Sequence, residues 1–152
     1  MLRLTRKTCY AIQAMIALAI AQTDGRPQLT RDEMALEQQI PHGILSHVLV
    51  DLAKSGLLTS VRGIGGGYRL ARDPATVSAA EIVRVCEREL TVAPCLTGHE
   101  PACPRNDQCV ARNVWDQLSS LLMDQLDTVT LADLCRDQRL LLKGDGQKSP
   151  SL

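Results

Sequence analysis

The sequence predicts a mainly α-helical protein with one small β-hairpin wing and a long helix in its second half. Three observations predict this fold: two short helical patterns joined by a tight turn, a glycine-rich hairpin directly after them, and an apolar helical stripe beyond about residue 107. With 152 residues, the chain is long enough for one compact domain and an extension.

Two short helices are predicted from the residues that begin them. Thr30 precedes Glu33 by three positions, and this capping box starts a helix that runs to about residue 38. A second helix opens at Pro41, where a missing N–H is harmless in the first turn, and Ser55 and Gly56 end it. The apolar residues that we expect to turn inward on this second helix are Ile44, Leu45, Val48 and Leu52.

A longer first helix is predicted over an apolar run, residues 11–21, that follows three cations as in a secretory signal. Tyr10 and Gln13 interrupt the run, and apolar positions recur at helical spacing, so we expect an amphipathic helix packed against a core. No run is long enough to span a bilayer. We therefore expect a cytoplasmic protein without membrane contact, whose six cysteines stay reduced. The recurring positions are Cys9, Ile12, Ile16 and Ile20.

A β-hairpin is predicted from two strands, over 57–61 and 68–71, around a glycine-rich loop. Together with the preceding helices it forms a winged helix-turn-helix over 1–75, whose second helix is a recognition helix for a DNA major groove. Glycines allow positive φ and let the loop backbone approach a phosphate chain. The glycine spacing breaks the dinucleotide-binding pattern and no P-loop sequence follows, so we do not expect nucleotide binding.

The charge distribution points to a polyanion as the partner of the first half. The net charge is +4 up to residue 72 and −4 from residue 73 onward. Aromatic residues make up only 2% of the chain, which excludes readout of single-stranded bases by stacking and favours double-stranded DNA. The outer face of the recognition helix presents His42, Gly43, Ser46, His47, Val50 and Lys54, of which we expect all but Val50 to bind DNA. On the wing, the candidate DNA-binding residues are Arg62, Gly63, Gly65, Gly66 and Arg69.

Three cysteines, Cys95, Cys103 and Cys109, fall in one loop over 91–109 that is too rich in proline and glycine for a helix or strand. Their spacing is wider than the Cys-x-x-Cys knuckle of structural zinc sites. An iron-sulfur cluster fits this spacing, because thiolates are its usual ligands and a fourth ligand can come from elsewhere. His99 keeps a three-cysteine, one-histidine zinc site open as the alternative. Paired disulfides are not expected, because three is odd.

The second half also contains three predicted helices. Ser78 and Glu81 form a capping box for a helix that fades near residue 89, and a long helix starts near 107. Thr130 and Asp133 cap a last helix that runs to about 141, and 143–152 reads as a disordered tail. We expect Cys86 and Cys135, which lie within helical patterns, to be small buried hydrophobic residues.

The long helix carries more apolar surface than a small domain covers, so we expect it to pair with its copy in a homodimer. A two-fold dimer places two recognition helices on one face, as a palindromic operator requires. The region 76–142 is thus assigned to the cysteine loop and the dimerisation helix. The apolar stripe consists of Val110, Val114, Leu118, Leu121, Leu122 and Leu126.

The pattern over residues 2 to 135 resembles the Rrf2 family of bacterial transcription regulators. The resemblance is carried by the start Leu-Arg-Leu-Thr at 2–5, the wing sequence at 61–70, the cysteine loop with Cys103-Pro104, and Thr-Leu-Ala-Asp-Leu at 130–134. It implies a dimeric winged-helix transcription factor, usually a repressor. It also implies that DNA affinity follows the state of an iron-sulfur cluster on Cys95, Cys103 and Cys109, which senses iron, nitric oxide or redox state.

The sequence departs from the family at the fourth ligand. Some members have a histidine three residues after the last loop cysteine, where this chain has Arg112. Others use an aspartate in the first helix of the partner subunit, and the matching residue here is Cys9. Four thiolates favour a 4Fe–4S over a 2Fe–2S cluster, but Cys9 can equally be packed in the core. Differences at Pro41, Gly43 and Ser46 mean that the operator sequence is not carried over.

Three other functions compete with cluster sensing. A zinc-stabilised DNA-binding protein and a thiol redox switch without a cluster both use the same cysteines. An enzyme is not expected, because no group of histidine, carboxylate and nucleophile can be placed together from the sequence.

Overall fold

The computed structural model describes residues 4–87, 90–97, 103, 105 and 108–144. Within them, the chain is mainly helical with a single two-stranded antiparallel hairpin, as the sequence predicts. The helices and strands are α1 (Arg6–Thr23), α2 (Arg31–Glu37), α3 (His42–Lys54), β1 (Leu58–Val61), β2 (Gly67–Leu70), α4 (Ala79–Cys86), α5 (Val110–Thr128) and α6 (Leu131–Leu142). Short 3-10 turns cover Pro74–Thr76 and Pro94–Leu96.

The helix α1 is the central element of the core. It contacts α3, α4, α6 and the wing strand β2. Its buried face is built largely from alanines together with Met15 and Leu18. The prediction that α1 packs against a core is confirmed, but of the recurring positions Ile12, Ile16 and Ile20 are half-buried and Cys9 is exposed. Small alanines face the core because helices pack around α1 on several sides and only short side chains allow that approach.

The helix-turn-helix forms as predicted, with one correction. Thr30 and Glu33 make a complete capping box at α2, and α3 buries Leu45, Val48, Leu49 and Leu52. Ile44, predicted to turn inward, is 38% exposed. It lies about a quarter turn from the centre of the buried stripe, so its side chain falls at the boundary with solvent.

The wing lies beside α3 with a defined register. Leu58 pairs with Leu70 and Val61 with Gly67. Each strand is one residue shorter than predicted at its core end, and β2 begins one residue earlier than predicted at the tip. The base of the wing is fixed to the segment before α2 by two backbone hydrogen bonds. Leu29 N–H donates to the Tyr68 carbonyl at 3.0 Å, and Tyr68 N–H donates to the Leu29 carbonyl at 2.8 Å.

The second-half helices begin at the predicted caps but differ in their ends. Capping boxes at Ser78 and Thr130 are both complete. The helix α4 ends at Cys86, earlier than predicted, because Glu87 is extended and is held elsewhere, and α5 begins at Val110 rather than near 107. A 3-10 turn over Pro94–Leu96 interrupts the loop that was expected to lack helix. The predicted tail lies outside the described residues from 145 onward.

None of the helices in the described ranges combines the length and the apolar character needed to cross a membrane. The helix α1 instead contributes eight buried residues, and its core-facing side chains pack with Ile82 and Leu131 from the second half.

Candidate functional site

The outer face of α3 and the wing border a shallow cleft of about 440 Å³. Its walls come from Thr30 and Arg31 on the α2 side, Ser46 and Val50 on α3, and Tyr68 and neighbouring residues on the wing. Of the residues predicted to bind DNA, Ser46 lines this cleft, whereas the wing side is formed by Ser60, Val61, Gly67 and Tyr68, which were not predicted.

The polar residues predicted for α3 lie on its solvent face. His42, Gly43, His47 and Lys54 are exposed, and Ser46 is half-buried in the cleft. The Ser46 hydroxyl donates to the His42 carbonyl at 2.8 Å, and the Arg31 guanidinium lies 3.4 Å from the same hydroxyl oxygen.

The α2 side of the cleft adds a cation that the sequence pattern did not single out. The side chain of Arg31, the first residue of α2, is half exposed beside the outer face of α3. Its Nε lies 3.4 Å from a carboxylate oxygen of Asp32, and His42 Nδ1 lies 3.4 Å from the same oxygen. Arg31 became a candidate only when α2 and α3 were brought together.

The wing tip exposes its cations on a tight backbone. Arg62 and Arg69 are exposed, and neither pairs with a carboxylate in the described parts of the chain. Gly63 and Gly65 have φ of 103° and 74°, values in the left-handed region that favours glycine. A Cβ on Gly66 would lie 2.3 Å from the Val61 carbonyl oxygen. These glycines are therefore required by the shape of the turn.

The cysteine segment is attached to the first half of α5. The backbone N–H of Val92 donates to the buried Ser119 hydroxyl at 3.1 Å, and that hydroxyl donates to the Trp115 carbonyl at 2.8 Å. Arg112 Nη1 donates to the Cys95 carbonyl at 2.8 Å. Arg112 thus holds the backbone of the first loop cysteine at the position where some family members were expected to have a ligand.

The three loop cysteines are free thiols. Cys95 lies in the 3-10 turn, Cys103 is exposed, and Cys109 is the N-cap residue of α5. In the described ranges, no three histidine, cysteine or carboxylate side chains are arranged to hold a metal ion together. His99, the alternative zinc ligand, lies outside the described residues.

The other three cysteines divide into one exposed and two half-buried thiols. Cys9 is exposed on α1, which argues against the alternative that it is packed in the core. Cys86 and Cys135 are half-buried against the core, less deeply than predicted, and burial raises the pKa of each thiol. Because the thiolate is the reactive form, Cys86 and Cys135 are poor ligands and poor nucleophiles at neutral pH.

A polar contact joins the start of the cysteine segment to the start of α1. A carboxylate oxygen of Glu87 accepts from Thr5 N–H and from the Thr5 hydroxyl, each at 2.8 Å, and from the buried Thr8 hydroxyl. Burial opposes ionisation of Glu87, but the hydrogen bonds from Thr8 and Thr5 outweigh it and hold the pKa of this carboxyl below its usual value. Sequence spacing gave no signal for this contact, because its partners are about 80 residues apart.

The same end of α1 also contacts the recognition helix. Lys7 Nζ lies 2.6 Å from a carboxylate oxygen of Asp51 on α3. This hydrogen bond raises the pKa of Lys7 and lowers the pKa of Asp51. The first turn of α1 therefore connects Glu87, at the entrance to the cysteine segment, with α3.

The helix α5 presents an apolar face to solvent. Only Ser119 is fully buried among its residues, while five large apolar side chains are at least 40% exposed. Trp115 belongs to this face although the sequence-based stripe omitted it. The exposed residues are Val110, Val114, Trp115, Leu118 and Leu121.

Known proteins share this sequence pattern and this architecture. The family model described as Rrf2, an iron-dependent transcriptional regulator, matches residues 4–137. The HTH-type transcriptional regulator IscR of Yersinia enterocolitica is 32% identical over 148 residues, which cover 97% of this chain and 88% of that protein.

Two solved structures share the fold. The T. potens IscR structure superposes with a TM-score of 0.71 at 28% identity, covering 99% of this chain and 94% of that one. The oxidised form of Staphylococcus aureus CymR superposes with a TM-score of 0.66 at 28% identity, covering 88% and 95%. The matching family and relatives are named as regulators of transcription and not as enzymes. The chain belongs to the Rrf2 family of DNA-binding transcriptional regulators.

Proposed function

We propose that this chain is a cytoplasmic homodimeric repressor whose affinity for a palindromic operator depends on an iron-sulfur cluster. The observation that carries the proposal is the set of free thiols at Cys95, Cys103 and Cys109, on a segment bonded to α5 and joined through Glu87 to the DNA-binding half. The cluster responds to iron supply, nitric oxide or redox state.

The surface formed by α3 and the wing is the part of the chain that binds DNA in this proposal. The recognition helix enters the major groove and the wing reaches the adjacent minor groove. We assign base contacts to Ser46 and His47, which project from the solvent face of α3. Contacts with phosphate or groove fall to His42, Gly43, Lys54, Arg62, Gly63, Gly65, Gly66 and Arg69.

The apolar face of α5 is the dimer interface in this proposal. Five exposed large apolar side chains on one helix form a surface of the kind that a second copy of the helix buries. A two-fold axis along this face presents two copies of α3 to two half-sites of one operator.

For the cofactor, the donor set fits a cluster. Three thiols in one short segment are free of disulfides and at least partly accessible, and thiolates are the ligands that iron-sulfur clusters prefer. Cys9 is exposed, as a fourth ligand from a second copy must be, and four thiolates favour a 4Fe–4S cluster. When bound, the cluster supplies the bonds that draw the three cysteines together and the sensitivity of those bonds to iron, nitric oxide and oxygen.

Hydrogen bonds and an ion pair within the chain then connect the cysteine segment (91–109) with α5, α1 and α3. Arg112 and Ser119 hold the segment against α5, the proposed dimer helix, and Glu87 holds the first turn of α1. Lys7 on that turn holds α3 through Asp51. A difference of a few kcal/mol between two dimer shapes is enough to change operator occupancy.

The decisive experiment is anaerobic purification of the full chain, followed by visible absorption and analysis of iron and acid-labile sulfide. We expect a coloured protein with iron and sulfide in equal amounts, and loss of both in Cys95→Ser, Cys103→Ser and Cys109→Ser. Cys135→Ser is the matched control and keeps the cluster, because this thiol is half-buried against the core. Cys9→Ala makes the cluster labile but leaves the dimer intact.

A thiol redox switch without a cluster is the second candidate. It is favoured by the likeness to the oxidised form of CymR and by the exposure of Cys9 and Cys103. Colourless, iron-free protein whose DNA affinity changes with peroxide and recovers with dithiothreitol would replace cluster sensing by this mechanism. One zinc ion per chain, without sulfide, would instead establish the zinc-stabilised form.

A further inference from the structure

The wing tip exposes an apolar side chain that the fold does not use. Ile64 has a relative exposure of 110%, the highest of the large apolar residues in the described parts of the chain. A side chain this exposed contributes no burial to the folded monomer. Its position at the outermost point of the wing therefore needs another explanation than packing.

The backbone that carries Ile64 is fixed on both sides. Gly66 N–H donates to the Gly63 carbonyl at 3.0 Å and closes the turn around Ile64. The Gln28 side-chain amide donates to the Gly65 carbonyl, which attaches the tip to the segment before α2. A Cβ on Gly67 would lie 2.3 Å from the Leu29 carbonyl oxygen, so the base of the wing is packed as closely as glycine permits. Ile64 is thus held out on a constrained turn.

The surroundings of Ile64 favour a nucleic acid over an apolar protein surface. Residues 52–72 contain four cations and no acidic residue. Arg62, next to the tip, and Arg69, opposite Thr59 in β2, are exposed and have no carboxylate partner in the ranges that the structure describes. Glycines on both sides leave Ile64 as the only bulky group at the tip. A phosphate contact by Arg62, two residues before Ile64, would bring the Ile64 side chain against the floor of a groove.

We propose that Ile64 is an apolar wedge that enters the minor groove under the wing, partly unstacks one base step and bends the duplex toward the major groove. Apolar side chains of this size perform that role in other minor-groove binders, and the energetic penalty of unstacking is lowest at flexible pyrimidine–purine steps. Ile64 therefore contributes to operator choice through DNA deformability, at a base pair that it does not hydrogen-bond. The proposal rests on the proposed DNA-binding function.

The test uses duplexes that the full-length protein itself selects from a pool of 40-base-pair fragments with randomised centres. End-to-end fluorescence energy transfer on a selected duplex measures its bending, and 2-aminopurine moved through the positions flanking each half-site reports unstacking. We expect the unaltered chain to bend the duplex and raise 2-aminopurine emission at one step per half-site. Selected sequences should carry a pyrimidine–purine step there.

Three substitutions separate the wedge from ordinary binding. Ile64→Ala should weaken binding about tenfold or more, straighten the duplex and abolish the emission increase, because most of the buried side chain is lost. Ile64→Leu should keep the bend. Leu141→Ala, at an exposed leucine on α6 away from the wing, should change nothing.

Salt dependence distinguishes Ile64 from its charged neighbours. Ile64→Ala should leave the slope of log affinity against log salt unchanged, whereas Arg62→Ala should reduce it by about one. Equal bending and equal emission with Ile64→Ala would overturn the wedge while leaving DNA binding in place. Failure of the unaltered chain to select any duplex would overturn both the wedge and the proposed DNA-binding function.

Discussion

Glu87 links the end of α4 to the first turn of α1. Its carboxylate receives three hydrogen bonds from Thr5 and Thr8, at the first turn of α1. It is also the first residue after α4 and thus the entrance to the cysteine segment. The start of α1 in turn contacts α3 through Lys7.

We expect Glu87→Ala to lower the free energy of unfolding by about 1–2 kcal/mol, because the buried Thr8 hydroxyl loses its charged acceptor. Urea unfolding followed by circular dichroism measures this loss. Glu37→Ala is the control: Glu37 pairs with Arg26 on the exposed surface, so its removal should have little effect. Equal unfolding midpoints for the two variants would contradict the role of Glu87.

The same contact predicts a pH dependence. The folded-state pKa of Glu87 is lowered, so its contribution is fully present above the unfolded-state pKa of about 4.3 and is lost as pH falls through the folded-state value. The stability difference between the unaltered chain and Glu87→Ala should therefore be constant from neutral pH down to about 5 and shrink below about 4. A difference that grows on acidification would mean that the carboxylate is not stabilised in the folded state.

Helix caps are the features that local sequence determines best at the scale of the element. Thr30, Ser78 and Thr130 each form a complete capping box where the sequence predicts one. The reason is that both partners of a capping box lie within four residues, so no distant contact can displace it. The same holds for the wing, whose turn is set by its glycines.

The cap of α2 supports the helix that carries Arg31 into the cleft. We expect Thr30→Ala to lower the free energy of unfolding by about 1 kcal/mol, because the Glu33 N–H in the first turn loses the hydroxyl that accepts its hydrogen bond. For a chain of this size, the melting temperature should fall by roughly 2–4 °C. Thr30→Ser, which keeps the hydroxyl, should melt close to the unaltered chain, and a Ser variant as unstable as the Ala variant would exclude capping as the cause.

Which face of a helix is buried is harder to predict from sequence. The spacing of Cys9, Ile12 and Ile16 predicts an inward stripe, yet α1 turns its alanines inward because several elements pack around it. Ile44 is exposed for a related reason, since it lies at the edge of the buried stripe of α3. Periodicity identifies an amphipathic helix, but the tertiary neighbours decide where its buried face is centred.

Only those parts of the candidate site that have a local sequence signal could be predicted. The recognition helix, the wing and the cysteine segment could be found from spacing within short windows. Arg31 in the cleft, Arg112 on the Cys95 carbonyl and Glu87 on Thr5 could not, because each depends on segments that meet only in the folded chain. The role proposed for Ile64 could not be predicted for another reason, because an isolated isoleucine between glycines has no periodic pattern.

At the scale of the whole molecule, the exposed face of α5 predicts the oligomeric state. We expect Leu118→Glu combined with Leu121→Glu to convert the dimer to a monomer, because burying carboxylates in an apolar interface is strongly unfavourable. Light scattering after size-exclusion chromatography gives the mass directly. Leu141→Glu together with Leu142→Glu is the matched control on α6 and should remain dimeric. A dimeric α5 variant would place the interface on another surface.

Trp115 is an intrinsic fluorescent probe of this chain. It is the only tryptophan in the chain, its ring is 40% exposed on the outer face of α5, and its carbonyl accepts from the hydroxyl that holds Val92. The indole lies on the surface proposed to meet a second copy, and the backbone of the same residue is hydrogen-bonded to the side chain that holds Val92. The fluorescence emission of this single tryptophan can therefore report dimer assembly and loss of a bound cofactor in the unmodified chain. No dye is needed, and no second tryptophan contributes to the signal.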